Sequence, residues 1–407
     1  MIHSRSFLRI LAVSALASPL SAVQWIVDAA GGGDFLDLPP AIAAAAPGDV
    51  LLVVPGDYSG FLLDKALVVL ALDAGVRVTP LSPGTGFEVH GIARPGLVVL
   101  AGLEVHGLLG TPAALRLSNS SATIVIDGLT YTTAEPRFQV VDCADVRLRG
   151  AILHELDVVA SRVELCDSVA YGFKGADGAE WIPDGEPGTA AAYGHVGLVD
   201  ADLHVYRSSL FGGAGGHAYS EFAVGGAGGA GVELDPNARL LLAGRPEDAI
   251  VGGAGGWPTY TNGAGVSGGL ATPSGWVRAS GASVSSYWNV SYVEFPTPAD
   301  PLLAVLSDVH AGQTATFRVR AEPGATVDLL LGRNPTVVPQ APLLAEDLLV
   351  VKNRTFHLGT VGPSGVIGFN FPVPATLPRG FMLFSQAKVT FSATDVRYSN
   401  SVPVVVR

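Results

Sequence analysis

A five- or six-residue word recurs eight times in the first three quarters of the chain, and this repeat constrains the fold more than any other feature. Each copy opens on a small residue and turns apolar at its third and fifth positions: Ala66-LVVLA, Gly96-LVVLA, Ala122-TIVID, Ala144-DVRLR, Ser161-RVELC, Ala201-DLHVY, Ala238-RLLLA and Gly275-WVRAS. The third positions are Val68, Val98, Ile124, Val146, Val163, Leu203, Leu240 and Val277. The fifth are Leu70, Leu100, Ile126, Leu148, Leu165, Val205, Leu242 and Ala279. Apolar residues two apart put one side of every copy in a core, which is strand periodicity.

The copies begin 30, 26, 22, 17, 40, 37 and 37 residues apart. A coil of about 20 residues with loops of variable length accounts for this spacing. Propeller blades would need more even periods near about 40–50 residues. Stacking the coils about 4.8 Å apart sets like side chains above one another and makes a continuous core. The expected fold is all-β, with a right-handed parallel β-helix over residues 23–294. Leu36, Leu38, Ile42 and the alanines 43–46 predict a short amphipathic helix, begun at Pro39-Pro40 and stopped by Pro47-Gly48, that covers the open first coil.

The mean hydropathy of +0.40 would suit a membrane protein. After residue 22, however, apolar runs such as 66–72 fall far short of the about 20 residues a membrane helix needs. Residues 1–22 read as an export signal, with Arg5 and Arg9, an apolar stretch 10–17 and small residues at the cleavage point. Secretion, the periplasm or the cell surface is the expected location. Residues 23–295 carry 29 acids and 13 bases, whereas 296–407 carry 7 and 9. An acidic body excludes nucleic acid as a partner. Cys143 and Cys166 would be free to pair in an oxidising compartment.

From Pro296-Thr-Pro-Ala-Asp-Pro301 the texture changes, so 295–301 reads as a linker. Alternating segments at 314–321, 326–331, 348–351, 366–372, 380–393 and 401–406 then predict an immunoglobulin-like β-sandwich over 302–407. Anchoring, sorting or closing the open β-helix end are the roles such a module would serve.

The words VDAAGGGDFLDLPPAIAAAAPGDVLLVVPGDYSGF (27–61) and the coils that follow resemble the pectin lyase-like superfamily of right-handed β-helices, over roughly residues 24–290. The opening is similar to that of pectin methylesterases and of an exported bacterial branch with a C-terminal β-sandwich module. The resemblance implies the fold and leaves the reaction open, because the superfamily mixes lyases, hydrolases, esterases, epimerases and adhesins.

Two sets of residues compete as the site. The outward positions of the repeat supply Asp145, Arg147, Arg162, Glu164 and Asp202. As a ladder of charges they would fix register; as in pectate lyases, they would hold calcium and supply an arginine base. The lyase, methylesterase and polygalacturonase words are missing, apart from a faint trace at Gly194-His195. Glu88/His90 and Glu104/His106 repeat one word and would suit a metal or acid–base pair.

The long excursions between later coils form the other set. Their aromatic and polar residues Trp181, Tyr193, His217, Tyr219, Glu221, Trp257, Tyr260 and Asn262 suit sugar binding. Asp177, Glu180, Asp184 and Glu186 would suit calcium. Nineteen glycines between 211 and 275 point to positive φ angles and close loop packing. The leading expectation is a non-catalytic exported or surface protein contacting polysaccharide through these loops. The alternatives are a polysaccharide lyase or glycoside hydrolase on the β-helix face, and a purely structural or adhesin-like protein.

Overall fold

The computed structural model describes residues 22–407 except 80–86, 107–114, 132–136, 173–195, 218–225, 245–248, 257–265, 269–273, 281–282, 286, 289, 295–300, 307, 339–347, 352–353 and 393–394. The repeat coils into a parallel β-helix with three strand stacks. The first stack runs through Gln24–Val27, Val50–Val53, Val68–Ala71, Leu97–Ala101, Leu115–Asp127, Phe138–Arg149, Arg162–Cys166, Asp202–Tyr206, Arg239–Ala243, Ser274–Ser280 and Val290–Glu294, every pairing parallel. A second stack carries Phe87–His90, the first halves of Leu115–Asp127 and Phe138–Arg149, Leu156–Val159, Val196–Val199 and Val232–Leu234. The third contains Gly56–Ser59, Val76–Thr79, Leu103–Val105 and Thr130–Tyr131, then Ile152–His154, Val169–Tyr171, Ser209–Phe211 and Ala249–Val251.

Inward residues of all three stacks share one apolar core from Val27 to Val277. Six of the eight expected inward pairs lie there as read, and so does Val277 of the last copy. The first copy does not: Val68 pairs with Val99, and Val69 with Leu100, so Leu67 and Val69 point inward while Val68 and Leu70 face out. The reason is that Leu67-Val-Val-Leu-Ala is apolar in both phases. A one-residue slip exchanges faces, and alternation cannot decide between two apolar faces.

The corner after the first stack repeats from coil to coil. Gly102, Gly128 and Gly150 take positive φ there, and Asp167 and Arg207 adopt the same conformation one and two coils later. Each N–H then donates to a carbonyl of the next coil, over 2.8–3.1 Å. At the N-terminus the helix Leu38–Ala44 covers the first coil as expected, with Asp37 as N-cap and Leu38, Ala41 and Ile42 buried. Asp49 ties strand and cap together, accepting from Val23 N, Trp25 Nε1 and Ala46 N.

Beyond the solenoid the strands become antiparallel. One sheet holds Leu302–Val305, Thr314–Arg320 and Val366–Pro372; a facing sheet holds Arg354–Thr360, Thr326–Gly332, Met382–Thr390 and Val396–Val405. The two enclose their own core as a β-sandwich. The sandwich does more than follow the β-helix: it lies along its flank. Met382, Phe384 and Val405 pack on the outward residues Val50, Leu70, Val99, Ala101 and Val125. Farther along, Cys166, Tyr206, Leu241 and Ala243 join the sandwich core itself. The last strand therefore runs along the solenoid axis, against the direction of stacking, and is buried on both sides.

Candidate functional site

All five expected catalytic residues point outward from the first stack, as the alternation requires. The sandwich covers three of them. Arg147 is 1% exposed and forms a two-bond ion pair with Asp145, with Nε and Nη2 each 3.0 Å from a carboxylate oxygen. Its third nitrogen donates to Ser401 Oγ at 2.8 Å, and its guanidinium lies 4.9 Å from the centre of the Phe384 ring. Asp145 also accepts from Thr123 Oγ1, and Glu164 accepts from Ser401 N at 3.1 Å. Neighbouring outward residues do the same work: Arg149 reaches Pro403 O, and Arg407 pairs with Asp127 at 3.0 Å. A hydrogen-bonded seam between two domains leaves no room for substrate. The lyase-like reading, in which Asp145 and Glu164 hold calcium and Arg147 acts as base, does not fit these three buried residues: they hold the sandwich in place.

Arg162 and Asp202 follow Asp145 in its column on the next two coils, nearer solvent. Asp202 pairs with Arg239 of the coil after that, so this part is a register-fixing charge ladder. Glu88/His90 and Glu104/His106 belong to different stacks and do not converge. Glu88 instead accepts from Ser118 Oγ, which also lies 2.9 Å from His90 Nδ1. Among the described residues no group of three or more His, Cys, Asp or Glu is placed to hold a metal ion. Cys143 faces the solenoid core whereas Cys166 faces the sandwich, and both are free thiols, so the pairing that the sequence left open does not occur.

Of the expected sugar-binding residues, His217 is described, and it is exposed. Trp181, Tyr193, Tyr219, Glu221, Trp257, Tyr260 and Asn262 lie outside the described residues, as do Asp177, Glu180, Asp184, Glu186, Gly194 and His195.

The third stack carries an open aromatic column that sequence reasoning missed. His154, Tyr171 and Phe211 occupy one outward register on successive coils. Tyr171 and Phe211 stack with centroids 5.5 Å apart and planes 13° apart; His154 lies 6.0 Å from Tyr171. Tyr171 is 43% exposed, and Ile152 beside the column is equally open. Burial holds the His154 imidazole below its ordinary range. A signal for the column exists in the sequence: each ring follows the last residue of a repeat word (Arg149, Cys166, Tyr206) by five positions.

Next to this column, Glu155 turns the corner with φ of 45° and is almost fully buried. Arg137 Nε lies 2.8 Å from its carboxylate. Burial pushes Glu155 up to about 7 against the pull of Arg137, and the charge of Asp157 adds to the rise. A carboxyl so enclosed supports the corner and does not reach a ligand on the outer surface.

No family model matches the chain, and no curated protein matches it. Among solved structures, the enzymatically active domain of bacteriophage CBA120 tailspike protein 4 aligns with 88% of this chain at 11% identity and a TM-score of 0.26. The chain spans 64% of that domain's length. So slight a likeness bears on neither fold nor activity; the parallel pairings establish the β-helix directly. No helix among the described residues is long and apolar enough to cross a membrane.

Proposed function

We propose that this is an exported or cell-surface β-helix protein that contacts polysaccharide without chemistry, using the third face as its platform. The observation that carries the reading is the solvent-facing ring column His154–Tyr171–Phe211. Flat rings spaced by one coil cover the apolar faces of successive sugars, while polar groups beside them take hydroxyl hydrogen bonds. Three of the five charged residues that would have supplied a lyase or hydrolase, Asp145, Arg147 and Glu164, are engaged in the domain seam, which favours binding over catalysis on that flank.

A glycan array followed by affinity electrophoresis tests the proposal with the full chain, Tyr171→Ala and Phe211→Ala. The expected result is retention of at least one polysaccharide by the wild type and roughly tenfold weaker retention by either variant, the loss of about 1.4 kcal/mol of stacking. Equal retention by all three proteins, or none by the wild type across a broad panel, overturns it.

A further inference from the structure

Three glycine-rich segments, 212–216, 226–230 and 252–256, leave the third face or return from it, and all were expected to be loops. Their hydrogen bonds follow a different rule. Gly212 and Gly215 of the first segment donate to Val251 O, just before the third, and to Ala254 O, in its middle. Gly253 and Gly256 of the third donate to Gly229 O and Gly226 O of the second. Gly226 and Gly229 of the second donate to Gly216 O and Gly213 O of the first. These six bonds measure 2.7–2.8 Å, and the donors within each segment are three residues apart. First bonds to third, third to second and second to first, closing a ring; the first and third run parallel and the second runs back between them.

A period of three, with no bonds inside a segment, is the signature of extended left-handed helices rather than of strands or turns. The packing agrees. A Cβ built on Gly212, Gly215, Gly228, Gly253 or Gly256 would come closer than 3.0 Å to a backbone atom of a neighbouring segment. None of these glycines takes positive φ. Glycine is required for close approach, as at the crowded axis of a collagen triple helix. The alanines of the repeating GGAGG words obey the same logic: Ala227 and Ala254 are exposed and Ala214 is half-buried.

We propose that the three segments form a polyglycine-II bundle that works as a rigid pedestal. It turns two excursions from different coils into one cooperative unit and fixes, beside the aromatic column, the points where the chain departs at His217 and returns at Gly226. The bundle begins directly after Phe211 and Val251, so it continues the third face outward. This proposal stands on the hydrogen bonds and the close contacts, and it does not depend on the reading of the rings as a sugar platform.

Hydrogen exchange on the full chain tests it. The amides of Gly215, Gly226, Gly229, Gly253 and Gly256 are expected to exchange about a hundredfold or more slowly than in an unstructured chain, as cooperative units do. In Gly253→Ala, protection should fall at least about tenfold in all three segments together, whereas Ala254→Ser, altering an outward position one residue away, should leave it unchanged. Gly256→Ala gives the same reading at the far end of the bundle if Gly253→Ala fails to fold. Unprotected wild-type amides, a loss confined to the substituted segment, or equal effects of Ala254→Ser and the glycine variants would each overturn the pedestal.

Discussion

The two outward faces of this solenoid begin from the same kind of sequence and end in opposite conditions. On the first stack, Arg147 and Glu164 sit beneath a β-sandwich, bonded to Asp145 and Ser401 of the same chain. On the third, Tyr171 and Phe211 stack in the open with nothing laid across them among the described residues. A column of chemically rich side chains is therefore not a site in itself. Coverage decides, and coverage comes from another domain hundreds of residues away, as Arg147 and Ser401 show. Charges that look like the best catalytic candidates serve cohesion, while rings that form no recognisable motif stay facing solvent.

The sharpest way to break this comparison is to remove Arg147. Arg147→Ala strands Asp145 in the seam without its partner, and losing one member of a buried pair costs about 3–5 kcal/mol. Denaturant unfolding should register that loss; a cost below about 1 kcal/mol would mean the seam is wet and the face open. The two thiols sharpen the result. Burial pushes Cys143 up to about 11 and raises Cys166 further, so neither should react with a thiol reagent while its surroundings stay packed. Arg147→Ala should speed labelling of Cys166, in the seam, by about a hundredfold or more, and leave Cys143, in the solenoid core, near the wild-type rate. Parallel acceleration at both thiols would show that sandwich and solenoid open as one body.

How much of this is legible depends on which physical pattern each element leaves in the sequence. The coils are readable because inward pairs such as Val146/Leu148 and Leu203/Val205 recur with period two whatever lies outside them. The cap is readable from Pro39-Pro40 and the apolar spacing that follows. Docking leaves a subtler trace. Leu67–Ala71 and Leu97–Ala101 are apolar on both sides, and so are the last residues before Arg407, Val402-Pro-Val-Val-Val406. Continuous runs of this kind mark strands buried on both faces. The same runs hide the register of the first copy. Later coils alternate cleanly, but their buried Arg147 and Glu164 look identical in sequence to exposed charges. The glycine words suggest positive φ by composition, whereas close backbone approach is what the contacts of Gly212 and Gly253 demand.

Apart from both extremes lies Glu155, at the corner between the third stack and the second. Its folded carboxyl, raised to about 7, holds a proton more tightly than the unfolded chain, whose value is near 4.5. The stabilisation is therefore fully present below about pH 4.5 and is lost as pH rises through about 7. At about 1.4 kcal/mol for each pH unit that separates the two states, the swing should be on the order of 3–4 kcal/mol. Glu155→Gln, which keeps the shape without the titration, should flatten the stability profile across that window. A profile unchanged by the substitution would place the titrating group elsewhere and detach this corner from the comparison.

The smallest effect is the most informative control, because it removes the same kind of residue from the same face without the cover. Arg239 pairs with Asp202 between two coils, as Arg147 pairs with Asp145 within one, yet the Arg239 side chain is 63% exposed. Water screens the pair and solvates whichever partner is left behind, so such contacts contribute about 0–1 kcal/mol. Arg239→Ala should accordingly lower the unfolding free energy by roughly 0.5 kcal/mol at most, and raising the salt concentration should erase even that. If it instead cost as much as Arg147→Ala, the difference between the two arginines would not be burial under the sandwich, and the distinction between covered and open faces would lose its energetic basis.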